Sequence, residues 1–163
     1  MKRTLSLLLS ASFLCTPLAA AAVHGKSARY VAGTVPAFKQ PTDGTWEFAE
    51  HAVLFTAEKN GGKVSIPYDK IESLEYGQKV GRRMGAATAG AIIVSPLFLF
   101  LLFSKKRKHF LSIAFVDEEG KKQGAVFELA KGIVKESLAS LETKSGKKVE
   151  YESDEAKKHA EKP

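Results

Sequence analysis

The feature that most constrains this chain is an uncharged run of 20 residues, Met84 to Phe103, in the middle of the sequence. A helix of that length, at about 1.5 Å per residue, roughly matches the ~30 Å hydrocarbon core of a bilayer. Basic residues stand on both sides of the run: Arg82, Arg83, Lys105, Lys106, Arg107 and Lys108. Such flanks suit the phosphate zone at the membrane edges. The sequence therefore predicts a membrane segment, with these six side chains in contact with lipid headgroups.

The N-terminus has the features of a secretion signal over residues 1–22. Lys2 and Arg3 form a positive start, an apolar stretch follows, and the alanines at 19–22 offer cleavage sites. Cys15, the only cysteine, lies inside this signal, so the mature chain is expected to have no disulfides. We expect export to the cell envelope, on its periplasmic or extracellular face. An uncleaved anchor is the alternative.

The formal net charge of +7 is concentrated around the apolar run and forms no basic stripe with interleaved aromatics. This distribution favours anionic lipid headgroups as the counter-charge and argues against nucleic acid.

Sequence motifs for catalysis or metal binding are missing. The chain has no P-loop, no Gly-x-Ser-x-Gly and no His-Glu-x-x-His, and its four histidines are scattered. We therefore predict no catalytic residue, no metal site and no cofactor, and interpret His51 with Glu47 and Glu50 as surface-loop residues. An envelope enzyme without a recognisable motif is the least favoured function, and its polar candidates are His51, Glu47 and Asp69.

Alternating apolar residues predict strands on both sides of the run. The predicted strands are 30–38, 45–48, 52–57, 63–68, 71–76, 109–116 and 124–129, with a short one at 149–151. Gly33 and Pro36 indicate that the first is an edge strand, and Asn60-Gly61-Gly62 indicates a hairpin. A stripe of Val134, Leu138 and Leu141 predicts an amphipathic helix over 131–144, capped by Gly146.

These elements predict an α+β fold, mainly β, in one domain over residues 30–151 that is interrupted by the apolar segment 84–103. A small antiparallel sheet or partly open barrel would be closed by one C-terminal helix. Residues 23–29 are expected to be a disordered lead-in, and residues 152–163 a charged mobile tail.

In this order of elements the chain resembles the pleckstrin-homology-like superfold, including its GRAM-type and bacterial members. The resemblance rests on VSIPYDKIESLEYG (64–77), HFLSIAFVDEEG (109–120) and GAVFELAKGIVKESLASLETKSG (124–146). The chain also resembles small secreted bacterial proteins with an apolar insertion between strands. The resemblance implies a non-enzymatic module that binds phospholipid headgroups or peptides. The chain lacks a cluster of basic residues within one strand pair. The resemblance therefore does not extend to a phosphoinositide ligand.

Within the apolar segment, residues on one helix side recur every four positions: Gly81, Gly85, Ala89 and Ile93. Small residues at this spacing let membrane helices approach closely, so we predict a packing face for a protein partner or a second copy. The alternative is a flexible glycine-containing lead-in. Ser95 and Pro96 predict either a kink in one helix or the bend of a hairpin with arms 84–94 and 97–103.

Two membrane topologies follow. A single span would agree with the positive-inside rule, since four basic residues follow the run, but it would separate the strands on its two sides. A re-entrant insertion would keep both basic flanks on one side and the sheet whole. Completeness of the sheet favours the second topology. The sequence thus predicts an exported, non-enzymatic binding or scaffold module anchored by an apolar loop insertion. The alternative is a single-pass adaptor or subunit whose helix packs through the small-residue face.

Overall fold

The computed structural model describes residues 26–59, 61–78 and 108–161, which form eight strands and two helices. The strands are β1 (Lys26–Gly33), β2 (Thr42–Phe48), β3 (Ala52–Ala57), β4 (Lys63–Pro67), β5 (Ile71–Gly77), β6 (His109–Val116), β7 (Lys122–Leu129) and β8 (Val149–Tyr151). The helices are α1 (Val134–Ser145) and α2 (Asp154–Glu161), and 3-10 turns lie at Tyr68–Lys70 and Lys131–Ile133.

All eight strands belong to one sheet, in the order β4-β3-β2-β1-β7-β6-β5-β8. The chain forms two antiparallel meanders, β1 to β4 and β5 to β7, which are joined through the pairing of β1 with β7. The short strand β8 adds to β5 in parallel. The α+β, mainly β fold expected from the sequence is therefore confirmed at the level of class. The expectation of an edge strand at 30–38 was wrong, because β1 pairs on both sides and Pro36 follows it in a loop.

The short link between β4 and β5 forces the sheet to curl. These strands are separated by five others, which in a flat sheet would span nearly 30 Å at about 4.8 Å per step. Only the turn Tyr68–Lys70 connects them, and three residues reach about half that distance. The sheet therefore wraps around its own inner face.

The inner face holds one hydrophobic cluster, in which Phe127 of β7 is fully buried. Its ring centre lies 4.7 Å from that of Trp46, 5.2 Å from that of Phe55 and 5.8 Å from that of Tyr30. Helix α1 contributes Leu138 and Leu141 to the same cluster. The C-terminal helix predicted from the apolar stripe therefore packs against the inner face of the sheet.

The end of α1 agrees with the predicted cap. Gly146 has a φ of 68°, in the left-handed region, and its N–H donates to the carbonyl of Glu142 at 3.0 Å. Glycine adopts this conformation without the steric cost that a Cβ would add.

Both predicted disordered ends need correction where the structure describes them. Strand β1 begins at Lys26, so residues 26–29 of the expected lead-in belong to the sheet. Helix α2 occupies Asp154–Glu161 of the expected mobile tail, and its Ala156 and Ala160 are buried in the core cluster. The alternating lysines and glutamates of this segment are the solvent face of a helix that packs through small residues.

No helix among the described residues combines the length and the apolar character needed to cross a membrane. The predicted secretion signal 1–22 and the apolar segment 84–103 lie outside those residues.

Candidate functional site

The described residues on either side of the apolar segment, Gln78 and Lys108, lie at the same end of the sheet. Strands β5 and β6 are antiparallel neighbours, and Gly77 at the end of β5 lies opposite Phe110 near the start of β6. Residues directly opposite each other in such a pair have Cα atoms about 4.5–5.5 Å apart. The chain therefore leaves the sheet at Gln78 and re-enters it at Lys108 from the same place. We call this place the insertion base.

On the β5 side, the insertion base is fixed by Glu152. The carboxylate of Glu152 accepts a hydrogen bond from the Gln78 N–H at 3.1 Å, and the Glu152 N–H donates to the Tyr76 carbonyl at 2.9 Å. A Cβ on Gly77 would lie 2.7 Å from this carboxylate, so glycine leaves the space that the contact needs. The direction in which the chain leaves β5 is thus set by residues near the C-terminus.

On the β6 side, the buried Tyr76 and the half-buried His109 form a pair. The Tyr76 hydroxyl lies 2.5 Å from His109 Nδ1, and the rings stack at 19° with their centres 6.2 Å apart. Burial raises the pKa of Tyr76 to about 12. Burial also lowers the pKa of His109, and the positive charges of His159 and Lys131 lower it further. At neutral pH the phenol therefore keeps its proton, the imidazole is neutral, and the two groups share one hydrogen bond.

Charged side chains of alternating sign cross the outer face beside the insertion base. Lys108 donates to Glu128 at 2.8 Å. Glu128 lies opposite Arg29 in the neighbouring strand. Arg29 in turn binds Asp43 through two hydrogen bonds of 2.7 and 2.8 Å, which together with the Arg29 charge lower the pKa of Asp43. Such cross-strand pairs stabilise strand register modestly, because they are largely solvated.

Lys108 is the one predicted headgroup contact that falls among the described residues, and its ammonium group is committed to Glu128. The remaining predicted site residues lie outside them: Arg82, Arg83, Lys105, Lys106 and Arg107 of the basic flanks, Gly81, Gly85, Ala89 and Ile93 of the packing face, and Ser95 and Pro96 of the bend.

The polar candidates for an enzyme are only partly brought together. A surface pocket is lined by Glu50, His51, Tyr68, Asp69, Lys144 and Ser145, whereas Glu47 lies on β2 opposite Leu54. His51 Nε2 is 3.5 Å from Glu50, and their side chains are 88% and 86% exposed. Within the described ranges, no three or more His, Cys, Asp or Glu residues are grouped so that they could hold a metal ion.

The rest of that pocket serves the packing of α1. Lys144 Nζ donates to the Ala49 carbonyl at 3.1 Å and lies 5.1 Å from the centre of the Tyr68 ring. The Ser145 hydroxyl donates to the Leu141 carbonyl at 2.6 Å. These contacts hold the helix end against the turn between β4 and β5. They give Tyr68, Lys144 and Ser145 a role in packing.

The structure adds a feature that the pattern analysis missed, an apolar patch on the face of the sheet opposite the core. It consists of Val31, Phe110, Ala114 and Val126, which we call the outer patch. Their exposed fractions are 4%, 5%, 2% and 1%, yet none of them belongs to the core cluster. The signal was present in β6, whose sequence HFLSIAFV is apolar on both faces, as is typical of a strand covered on both sides.

Comparisons with known proteins place the chain in no family. No protein-family model matches it, and no curated protein matches it.

Proposed function

We propose that this protein is an exported, membrane-associated, non-enzymatic binding or scaffold module with a pleckstrin-homology-like domain. An apolar insertion between β5 and β6 anchors it to the bilayer. The observation that carries the proposal is the pairing of Gly77 with Phe110, which brings together the strand ends on either side of residues 79–107.

The pairing at the insertion base favours a re-entrant insertion over a single span. A helix that crosses once places its ends about 30 Å apart, on opposite membrane faces. Strands β5 and β6 are hydrogen-bonded neighbours right up to the base, and a chain that returns to the side from which it left would keep this pairing intact. A hairpin bent at Ser95 and Pro96 meets this requirement with both basic flanks at the same headgroup layer.

The order of the elements supports the pleckstrin-like part of the proposal. One meander of four strands and one of three pair through β1 and β7, and α1 follows β7 directly and packs Leu138 and Leu141 against the inner face. Strand β8 and helix α2 extend this arrangement beyond the closing helix.

Binding to vesicles tests the anchoring function. The mature chain is compared with a variant in which Arg82, Arg83, Lys105, Lys106 and Arg107 are changed to glutamine. Each basic residue near anionic headgroups contributes about 1 kcal/mol at low salt, so we expect the variant to bind phosphatidylglycerol vesicles far more than tenfold more weakly. Residual binding through the apolar segment should not depend on salt.

The matched control changes five exposed lysines elsewhere, namely Lys70, Lys121, Lys147, Lys148 and Lys157. This control has the same net charge as the first variant and should keep most of the affinity. Equal losses in both variants would mean that net charge, and not the insertion base, determines binding. Unchanged affinity in the first variant would refute headgroup anchoring.

Cysteine labelling tests the topology. Single cysteines replace Lys63 on β4 and Lys121 in the β6–β7 turn, both exposed. The outer membrane or wall is first made permeable while the inner membrane stays intact. An impermeant maleimide should then label both cysteines, because in the proposed topology the whole sheet lies on the outer side of the inner membrane. Labelling of the first but not of the second position would instead establish the single-pass adaptor.

A further inference from the structure

The outer edge of β4 carries backbone groups that no strand among the described residues uses. Strand β4 stands at one end of the sheet order, and its only partner strand there is β3. At one end of this pair, the Ala57 N–H donates to the Gly62 carbonyl at 2.8 Å. At the other end, the Tyr68 N–H donates to the His51 carbonyl at 3.1 Å.

These two bonds show which groups of β4 remain free. In an antiparallel pair, bonded positions recur at every second residue, so the even-numbered residues from Gly62 to Tyr68 direct their N–H and C=O groups to β3. Lys63, Ser65 and Pro67 direct theirs away from it. Because proline has no N–H, the free edge offers two donors and three acceptors.

A groove of about 460 Å³ lies along this free edge. It is lined by the three residues with free backbone groups, by residues 35–37 after β1 and by the β6–β7 turn. Val35 and Phe115, which are buried, and Val64, which is half-buried, supply apolar surface inside it. Its volume falls within the range of roughly 300–1,000 Å³ that is usual for ligand pockets.

The β6–β7 turn that bounds the groove is held by a buried polar network. Gln123 is 3% exposed, and its Nε2 donates to the Asp117 carboxylate at 2.8 Å. The Thr34 hydroxyl donates to Gln123 Oε1 and accepts from the Gly124 N–H at 3.0 Å. Asp117 also accepts from the Lys121 N–H at 2.8 Å. The wall of the groove is therefore preorganised, which lowers the cost of ordering it on binding.

The charges and the edge residues narrow the class of occupant. Glu118 and Glu119 line the groove, are exposed, and have no ion pair among the described residues. With Asp117, the groove has three carboxylates against the two ammonium groups of Lys63 and Lys121, so it favours a basic ligand. A lysine and a proline on an edge strand disfavour pairing with a second sheet.

We propose that the groove binds an extended peptide segment of a partner protein, which adds to the free edge of β4 as a further strand. The segment has apolar side chains at alternate positions, for the surface of Val35, Val64 and Phe115, and basic side chains between them. Main-chain hydrogen bonds supply affinity in this mode of recognition, and the alternate side chains supply specificity. The inference rests on the proposed function of a binding module and names the chemistry of its partner.

Hydrogen exchange of the mature chain in detergent micelles tests whether the edge is free. The N–H groups of Lys63 and Ser65 should exchange rapidly, and those of Val64 and Ile66 slowly, because the latter bond to β3. Slow exchange at Ser65 without added peptide would show that another part of the chain already pairs with β4, and would overturn the inference. Protection that appears only at high protein concentration would assign the edge to a second copy and overturn it as well.

Fluorescence anisotropy of four labelled peptides, GRZTZRG with Val, Ile, Leu or Phe as Z, measures binding. Methyl groups on the backbone nitrogens of both Z residues, or on that of the threonine, block the donors on one edge of the added strand. We expect only one of these two modifications to abolish binding, since only one edge of the peptide meets β4. Loss with both, loss with neither, or no binding of any of the four peptides would contradict strand addition.

Variants of the edge and of the turn locate the site. Ser65→Pro removes a donor that points away from β3 and should weaken peptide binding roughly three- to tenfold, whereas Ser65→Ala keeps the donor and the affinity. In case the proline variant does not fold, Glu118→Lys with Glu119→Lys should weaken binding of the basic peptides. The matched control, Glu150→Lys with Glu161→Lys, changes exposed residues outside the groove. Equal affinity in all these variants would overturn the site.

Vesicle binding of the same variants separates this inference from the anchoring. Absence of peptide binding with intact vesicle binding would remove the peptide groove alone. Loss of vesicle binding with intact peptide binding would remove only the proposed anchoring.

Discussion

Replacement of the insertion by a short linker separates the fold from the anchor. The chain runs from Val23 to Glu161, with residues 79–107 exchanged for about six Gly and Ser residues. The Gly77–Phe110 pairing then closes a loop of about 9 residues in place of 32. Shortening a loop by that ratio stabilises the closed hairpin by about 1 kcal/mol. The shortened chain keeps α2, which packs against the core.

The gain of about 1 kcal/mol is small beside the 5–15 kcal/mol by which a domain is typically stable. We expect a soluble monomer that unfolds cooperatively, with a Tm close to that of the mature chain and with strand and helix signals in circular dichroism.

A shortened chain that aggregates under every refolding condition would refute the local insertion and would mean that the sheet depends on the membrane segment.

Three further predictions concern the described residues. Because burial holds the folded-state pKa of His109 below the value of 6.5 in an unfolded chain, the unfolded state binds more protons as the pH falls through that value. The free energy of unfolding should therefore decrease between about pH 8 and about pH 5, and His109→Gln should flatten that slope in urea titrations. An unchanged slope in this variant would contradict the assignment to His109. Phe127→Ala should lower the free energy of unfolding by about 3–5 kcal/mol. Thr56→Ala on the outer face should lower it by less than about 0.5 kcal/mol. An equally small loss for Phe127→Ala would contradict the aromatic core. A stop after Ser153 should lower the same quantity by about 1–2 kcal/mol through loss of buried alanines, and an unchanged Tm would mean that α2 contributes no stability.

The sequence predicts best those elements whose apolar residues are large and regularly spaced. β3 and β6 were placed at their observed bounds, since each has bulky side chains at alternate positions. Helix α1 followed from Val134, Leu138 and Leu141, although residues 131–133 of the predicted helix form a separate 3-10 turn before it. Large apolar side chains mark the buried face of an element in the sequence, because burying each one contributes strongly to stability.

Elements that pack through small residues, or that depend on distant partners, leave no such pattern. Helix α2 buries only Ala156 and Ala160, so its sequence looks like a solvated tail. The central position of β1 depends on β7, which lies almost 100 residues later in the chain, and no local pattern contains that pairing. The Tyr76–His109 pair and the Glu128 contact of Lys108 likewise come from register across strands.

The position of the insertion explains how one small domain can include a long apolar segment. An insertion between adjacent antiparallel strands interrupts no other pairing, since β5 and β6 meet again at the base and the remaining order of the sheet is unaffected. Its entropic cost rises only with the logarithm of its length. In the proposed topology, the same location would bring both basic flanks to one headgroup layer, because the strands on either side of residues 79–107 end at one point. A single span would forfeit the β5–β6 ladder, which adjoins the core through Leu74, Leu111 and Ile113. The proposed re-entrant arm would therefore keep the backbone hydrogen bonds of the β5–β6 ladder and would also allow the apolar segment to enter the bilayer.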